Sequence, residues 1–329
     1  MDIVFERIMQ MTESLYPHIE SLKKSILSEI VAHSKLRDDK KLYHYTSEET
    51  LYAMLESNNI RATEFNYLND AEEVVYGGKL LHEHIASHPS SINQQFISQL
   101  LLHYSNNLIC HHQEFRRLMP TFVASFSSTP DSLSQWRAYG DSAKGVQIEF
   151  DFSNCVVAAQ SGNSIQTFDI LPVVYEKDLQ NHLVEKAINY CNETLSPLVT
   201  ELSKLIEVEP NIAGVLQGLI SHAFEPIELL FKHPSFYEEH EYRAVAVCQK
   251  PSIEPFIKVA KSYTGEKQYI EAMCLQDMGN KYCQLEKLPI TDVTVGPLSN
   301  SLDNIRKHMQ TRNFTSVDQY KKSSIPLKY

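Results

Sequence analysis

Residues 237–247 read Tyr237-Glu238-Glu239-His240-Glu241-Tyr242-Arg243-Ala244-Val245-Ala246-Val247, an acidic cluster that runs directly into an apolar segment. Val245 and Val247 alternate with small alanines, a pattern typical of a buried strand. Because side chains alternate along a strand, we expect Glu239 and Glu241 to share one face, at or just before its start. Such a carboxylate pair can stabilise positive charge, hold a sugar hydroxyl or accept a proton. The alternative interpretation is a solvated charge run at a loop edge.

Composition limits the classes of protein to which the chain can belong. Its 329 residues suffice for one large domain or two smaller ones. The formal net charge of −11 makes broad electrostatic attraction to nucleic acid unexpected. No run of residues approaches the roughly 18 consecutive apolar residues of a membrane span. The cysteines form no CxxC pair, which favours free thiols in a reducing cytoplasm (Cys110, Cys155, Cys191, Cys248, Cys274 and Cys283).

The pattern of apolar residues predicts three parts in the chain. Residues 1–41 form a helical segment in which Pro17 marks a kink or a break. A single α+β domain follows over residues 42–312, with a helical insertion at about residues 177–233 and a C-terminal tail over 313–329. The fold class is α+β because strands and helices mix without regular βαβ alternation, and neither GxGxxG nor GxxxxGK[ST] occurs.

The first polar site lies on a short aromatic strand, Leu42-Tyr43-His44-Tyr45-Thr46. This strand runs into a predicted capping box, with Thr46 as the N-cap and Glu49 at the third helical position. His44 would then lie at a strand end beside a helix N-terminus, a place that favours anions. A purely structural hydrogen bond is an equal alternative for this histidine.

The second polar site is the strand from Thr121 to Ser128, in which Ser125 and Ser127 alternate with apolar residues. Both hydroxyls should therefore share one face. A short helix follows and holds the only tryptophan, Trp136, before it ends near Gly140. A serine hydrolase lacks support, because GxSxG is missing.

Histidines of a helix predicted at about residues 71–87 could suggest a metal site. His82 and His84 are two residues apart and point in different directions, and HExH is not the HExxH of zinc enzymes. Zinc-finger spacing is absent as well. We therefore expect no metal.

Six segments of the chain resemble a bacterial family catalogued as domain of unknown function 2971, over about residues 42–312. These segments are Tyr43-His44-Tyr45-Thr46, Leu68-Asn69-Asp70 with Glu73, Ser125-Phe126-Ser127, Trp136 with Tyr139-Gly140, Glu239-His240-Glu241-Tyr242-Arg243, and Val295-Gly296-Pro297. The order His-x-Thr, Ser-x-Ser, Glu-x-Glu is also similar to the triad of the ADP-ribosyltransferase fold. That resemblance implies a split β-sheet core.

The same resemblance implies a set of NAD-binding residues. His44 and Thr46 would hold the adenosine-side ribose and backbone of NAD, while Ser125 and Ser127 would support the nicotinamide pocket. An aromatic ring, that of Tyr45 or Tyr139, would stack on the nicotinamide or cover the cation.

The catalytic roles fall to the two glutamates. Glu241 would hydrogen-bond the nicotinamide-ribose 2′-hydroxyl and stabilise the oxocarbenium ion, and Glu239 would orient or deprotonate the acceptor. The first motif has His, as in one branch of these transferases. The other two motifs belong to another branch, in which the first motif has Arg. The acceptor, protein or nucleic acid, is thereby left undefined.

The leading prediction is an NAD-consuming, ADP-ribosyltransferase-like enzyme of the cytoplasm, a bacterial toxin or anti-phage effector. A non-catalytic binding or regulatory module on the same fold is the second prediction. A nucleic-acid processing enzyme is the third, which the net charge disfavours unless a basic groove is present.

Overall fold

The computed structural model describes residues 3–34, 40–68, 71–87, 95–116, 119–198, 204, 211–262, 265–279, 281–314 and 317–327. The chain forms two compact units. The helical unit comprises Met1–Ser34, Asp70–Arg116 and Val174–Phe236, and the sheet unit comprises Lys35–Asn69, Arg117–Val173 and Tyr237–Tyr329. The predicted mixed α+β class is confirmed, with a large mixed sheet and several helices.

The α-helices of the described residues are α1 (Ile3–His33), α2 (Glu48–Ser57), α3 (Ala71–Ser87), α4 (Gln95–Arg116), α5 (Leu133–Ala138), α6 (Lys177–Leu195), α7 (Asn211–Leu230), α8 (Lys250–Ile253) and α9 (Leu302–Thr311). Of the apolar residues whose helical spacing predicts α1, Leu22, Ile26 and Ile30 are buried, whereas Met9 is exposed. The helix runs through Pro17 without ending, so the alternative of two separate helices is wrong.

The strands of the described residues are β1 (Lys41–Thr46), β2 (Ile60–Glu64), β3 (Thr121–Ser127), β4 (Val146–Asp151), β5 (Val156–Ser161), β6 (Ser164–Thr167), β7 (Asp169–Pro172), β8 (Glu241–Val247), β9 (Lys258–Ser262), β10 (Gly265–Asp277), β11 (Tyr282–Gln284), β12 (Ile290–Val295) and β13 (Gln319–Lys322). Strand β13 lies in the region predicted as a C-terminal tail and pairs in parallel with β12.

The sheet divides at β3. Along one edge, β3 pairs antiparallel with β8 over its full length, from Thr121 opposite Val247 to Ser127 opposite Glu241. The other edge is shared by two strands, because β1 meets β3 at Ser127 while β2 meets it at Phe122 and Val123. Strands β1 and β2 therefore diverge beside the middle of β3. Beyond them, the sheet continues as β4-β12-β13 on one side and as β10-β5-β6 on the other.

The two faces of this sheet differ in polarity because side chains alternate along each strand. One face is the apolar core of the sheet unit and includes Leu42, Phe126, Phe150, Ala244 and Val293. The opposite face carries the polar and aromatic partners in register, Tyr43, Ser127, Glu149 and Glu241. Polar chemistry in the sheet is thus concentrated on the face that turns away from this core.

Candidate functional site

The buried ion pair between Glu241 and Arg243 lies at the start of β8. The two residues are two positions apart on one strand and so share a face. Arg243 Nε donates to Glu241 Oε1 at 3.0 Å, and its Nη2 donates to Oε2 at 3.1 Å. Arg243 is fully buried, and its guanidinium also lies over the Phe65 ring. Burial lowers the pKa of Arg243 to about 9, which leaves it charged at neutral pH.

Glu239 lies outside the strand. Residues Pro234–Glu239 form a 3-10 turn, and His240 has a φ of 44°, so the strand begins only at Glu241. The prediction that Glu239 and Glu241 share a strand face is therefore wrong. The turn is fixed by Ser127 Oγ, which donates to the Glu239 carbonyl at 2.8 Å. Tyr139 Oη donates to Glu239 Oε1 at 2.9 Å.

Ser125 and Ser127 lie on the same face of β3, as their alternation predicts, but in different surroundings. Ser127 is buried and pairs in register with Glu241. Ser125 is exposed and pairs in register with Arg243. The Ser127 hydroxyl also accepts from the Thr129 amide at 3.1 Å. The Ser127 hydroxyl therefore stabilises the turn at Glu239 and the segment at Thr129. The hydroxyl of Ser125, in contrast, faces an open surface.

His44 lies on the opposite face of the sheet from the two serines. Its register partner is the core residue Ile148, and its ring packs edge-on against Phe126 with centroids 5.8 Å apart. The half-buried ring donates from Nδ1 to the Ser125 carbonyl at 3.0 Å. Burial lowers the pKa of His44, which favours the neutral imidazole. The His44 side chain thus contacts β3 beside the point where β1 and β2 diverge, but it contacts the backbone of Ser125 and not the Ser125 hydroxyl.

Thr46 does not cap α2. The N-cap is Ser47, whose Oγ accepts from the Thr50 amide at 3.1 Å, so the predicted capping box is displaced by one residue. Thr46 is buried on the same face as His44. A Cβ at Gly145 would meet the Thr46 carbonyl at 2.1 Å, so the backbones pack directly there. These contacts make Thr46 a packing residue that does not meet the serines or glutamates.

The two aromatic candidates differ in accessibility. Tyr45 is buried, packs edge-on against Trp136 with centroids 5.0 Å apart, and donates from Oη to the Thr129 carbonyl at 3.0 Å. Its ring therefore belongs to a small core and is not open to a ligand. Tyr139 is 39% exposed and carries the hydrogen bond to Glu239. Of the two, Tyr139 presents the ring that a ligand could reach.

Asp131 accepts hydrogen bonds from several chain segments, a role that the sequence did not indicate. Its carboxylate accepts from Trp136 Nε1 at 2.8 Å, from the Ser324 amide at 3.0 Å and from the Ser323 hydroxyl. Burial opposes its charge, yet these hydrogen bonds together hold the pKa of Asp131 below its ordinary value. Asp131 thereby fastens the segment after β13 beside the Tyr45–Trp136 cluster, which Ile325 also contacts. No signal in the C-terminal sequence indicates this long-range contact.

A cavity of about 230 Å³ opens elsewhere in the sheet unit. Its walls are Lys40, Leu42, Phe152, Cys155, Val156, Val157, Phe168, Asp169 and Ile170. None of the residues predicted to bind NAD or to act in catalysis lines it. Across the part of the chain that the structure describes, no group of three or more His, Cys, Asp or Glu residues is arranged to hold a metal ion.

Comparison with known proteins gives one match. A family model described as "Protein of unknown function (DUF2971)" matches residues 135–244. This segment is similar to that family. The family resemblance predicted from the motifs is thus confirmed there, and the matched segment contains Trp136, Tyr139, Glu239, Glu241 and Arg243.

No curated protein and no solved structure matches the chain. Within the described residues, no helix has the length and apolar character to cross a membrane.

Proposed function

We propose that the chain is an NAD-consuming, ADP-ribosyltransferase-like enzyme that cleaves the nicotinamide–ribose bond and transfers ADP-ribose to an acceptor. The observation that carries the proposal is the divergence of β1 and β2 along one edge of β3, with Ser127 bonded to the turn that carries Glu239. A split of this kind fits the ADP-ribosyltransferase-like fold that we propose for the sheet unit.

Glu239 takes the role of stabilising the oxocarbenium ion as nicotinamide leaves. The charge of Glu241 is balanced by Arg243, so this ion pair has little net charge to offer a developing cation. Glu239 is half-exposed, and Tyr139 orients its carboxylate. A carboxylate held in place beside developing positive charge stabilises the transition state.

The dinucleotide would pass along the split of the sheet. Tyr139 offers an exposed ring for stacking, and Ser125 offers an exposed hydroxyl. His44 lies on the opposite face, where its ring packs against Phe126, so we assign it no role in binding the dinucleotide.

The proposed setting is the cytoplasm, with a protein or nucleic acid as acceptor and a role as a toxin or anti-phage effector. Five described cysteines are free thiols, Cys155, Cys191, Cys248, Cys274 and Cys283. Free thiols persist in a reducing compartment.

A measurement of nicotinamide release from NAD by the purified chain, with cell lysate as acceptor, tests the proposal. We expect release by the wild type and a loss of about 100-fold or more in kcat for Glu239→Gln, because the variant removes the charge that faces the cation. The matched control is Glu238→Gln, which changes an exposed neighbour in the same cluster and should keep full activity. Equal rates for the two variants would contradict the role of Glu239.

The second candidate is a non-catalytic binding module. It is favoured by the hydrogen bonds that the candidate groups make within the protein. Arg243 donates to Glu241, and the Ser127 hydroxyl donates to the Glu239 carbonyl. Calorimetric titration with NAD separates the candidates. Binding without nicotinamide release would support the module, and neither binding nor release would overturn both NAD proposals.

A further inference from the structure

The 230 Å³ cavity of the sheet unit holds a feature that the proposed function does not use, the thiol of Cys155. Most of its walls are apolar, from Leu42, Phe152, Val157 and Phe168, all of them buried. An engineered apolar cavity of about 150 Å³ stays dry and binds benzene. This larger space can therefore hold one ring with a short chain.

Cys155 lies against a second thiol. Cys274 of β10 pairs in register with Val157 of β5, and Cys155 lies just before β5, two residues from Val157. A hydrogen bond from Cys274 lowers the pKa of Cys155, against the opposing effects of burial and of the Asp151 charge. The same contact raises the pKa of Cys274, which is buried and remains the donor. The thiolate is the reactive form of cysteine, so this contact favours reaction at Cys155.

We propose that Cys155 is a covalent modification site for small apolar electrophiles of the α,β-unsaturated carbonyl class, which the cavity concentrates beside its sulfur. The sulfur lone pair forms an S–C bond to the β-carbon, and the π electrons of the C=C bond move to the α-carbon. A proton from water completes a thioether, and no oxidant or reductant is needed. The site is independent of the NAD chemistry, because no residue assigned to that chemistry lines the cavity.

Peptide mass spectrometry of the full chain tests the proposal with two probes, cinnamaldehyde as the apolar electrophile and acrylamide as the small polar one. The internal reference is Cys283, which is also partly exposed but does not line the cavity. We expect the ratio of adduct at Cys155 to adduct at Cys283 to be about tenfold or more higher for cinnamaldehyde, since burial of an apolar ring favours the bound state. The same ratio for both probes would overturn the proposal.

Two further pairs of variants separate recognition by the cavity from reactivity of the thiol. Ile170→Trp fills the cavity and should bring the cinnamaldehyde ratio down to the acrylamide ratio, whereas Ile165→Trp, at an exposed site of the neighbouring strand β6, should not. Cys274→Ala removes the thiol donor and should slow adduct formation at Cys155 with both probes alike, and Cys274→Ser should restore it. A ratio that Ile170→Trp leaves unchanged in a folded protein would contradict the role of the cavity.

Discussion

Arg243 donates to both carboxylate oxygens of Glu241, its neighbour two residues earlier on the same strand. The guanidinium is fully buried and the carboxylate nearly so. Taking two charges out of water costs several kcal/mol each, and their mutual attraction repays this only while both partners are present. The pair therefore fixes the start of β8 and makes that strand sensitive to the loss of either charge.

Glu241→Gln should lower the free energy of unfolding by about 3–5 kcal/mol, because it removes the negative charge that the buried guanidinium of Arg243 contacts at both carboxylate oxygens. Urea denaturation followed by far-UV circular dichroism gives the measurement.

The control for this effect is Glu238→Gln, an exposed change that should stay within about 0.5 kcal/mol of the wild type. The double variant Glu241→Leu with Arg243→Met should recover much of the lost stability, because apolar residues of similar volume need no counter-charge. A double variant no more stable than Glu241→Gln would show that the pair itself is not responsible.

Trp136→Ala should destabilise the sheet unit by about 3–5 kcal/mol, the usual cost of removing a large buried aromatic side chain. Trp136 is fully buried, packs edge-on against Tyr45 and donates to Asp131. The measurement is the urea midpoint of the variant against that of the wild type. Tyr139→Phe removes a hydroxyl from an exposed residue and should move the midpoint far less. Equal shifts for both variants would contradict a core role for Trp136.

Local alternation along the chain predicted part of this site. Ser125 and Ser127 share a face because two-residue periodicity dictates it, and the buried strand from Glu241 follows from its valine and alanine pattern. The opposite charges of Glu241 and Arg243 at the same spacing could also have predicted their pairing. Their burial could not be read from an acidic cluster, since such clusters are usually solvated.

Other features depended on information that the local sequence does not carry. His240 adopts a positive φ that is uncommon for a residue other than glycine, and that single backbone choice removes Glu239 from the strand. Strand β13 has a polar sequence without apolar alternation, and its partner β12 is distant enough in the chain that local sequence does not indicate the pairing. His44 was assigned to the same site as the serines, but pleat and register place it on the other face.

Acid should release the C-terminal segment from Asp131. Because hydrogen bonds lower the pKa of Asp131 from 3.8, its contribution to stability is present above pH 3.8 and is lost as pH falls through the lower pKa of the folded state. Trp136 is the only tryptophan and contacts this carboxylate, so its fluorescence reports the change directly.

Asp131→Asn should show the same fluorescence change already at neutral pH, because the amide cannot accept all the bonds from Trp136, Ser323 and Ser324. Asp318→Asn, an exposed change in the same C-terminal region, is the control. A wild-type signal that stays constant through the acid range would contradict this role of Asp131.

The helical unit should be more stable at pH 6 than at pH 8.5. His222 of α7 lies 2.9 Å from Glu20 of α1, with Glu225 and Lys23 also facing it. Hydrogen bonding to Glu225, and then to Glu20, raises the pKa of His222 from 6.5. Its contribution to stability is therefore fully present below pH 6.5 and is lost as pH rises through the raised pKa of the folded state.

The carboxylates of Glu20 and Glu225 limit this stability on the acid side, because the pKa of each is lowered from 4.5. Their contributions are present above pH 4.5 and are lost as the pH falls through the lower pKa values of the folded state. His222→Gln should therefore flatten the fall in thermal midpoint between pH 6 and pH 8.5, because the variant has no imidazole to deprotonate. His18→Gln, at an exposed position of α1, should keep the wild-type slope. If both variants keep that slope, the link between α1 and α7 through His222 does not control the pH dependence.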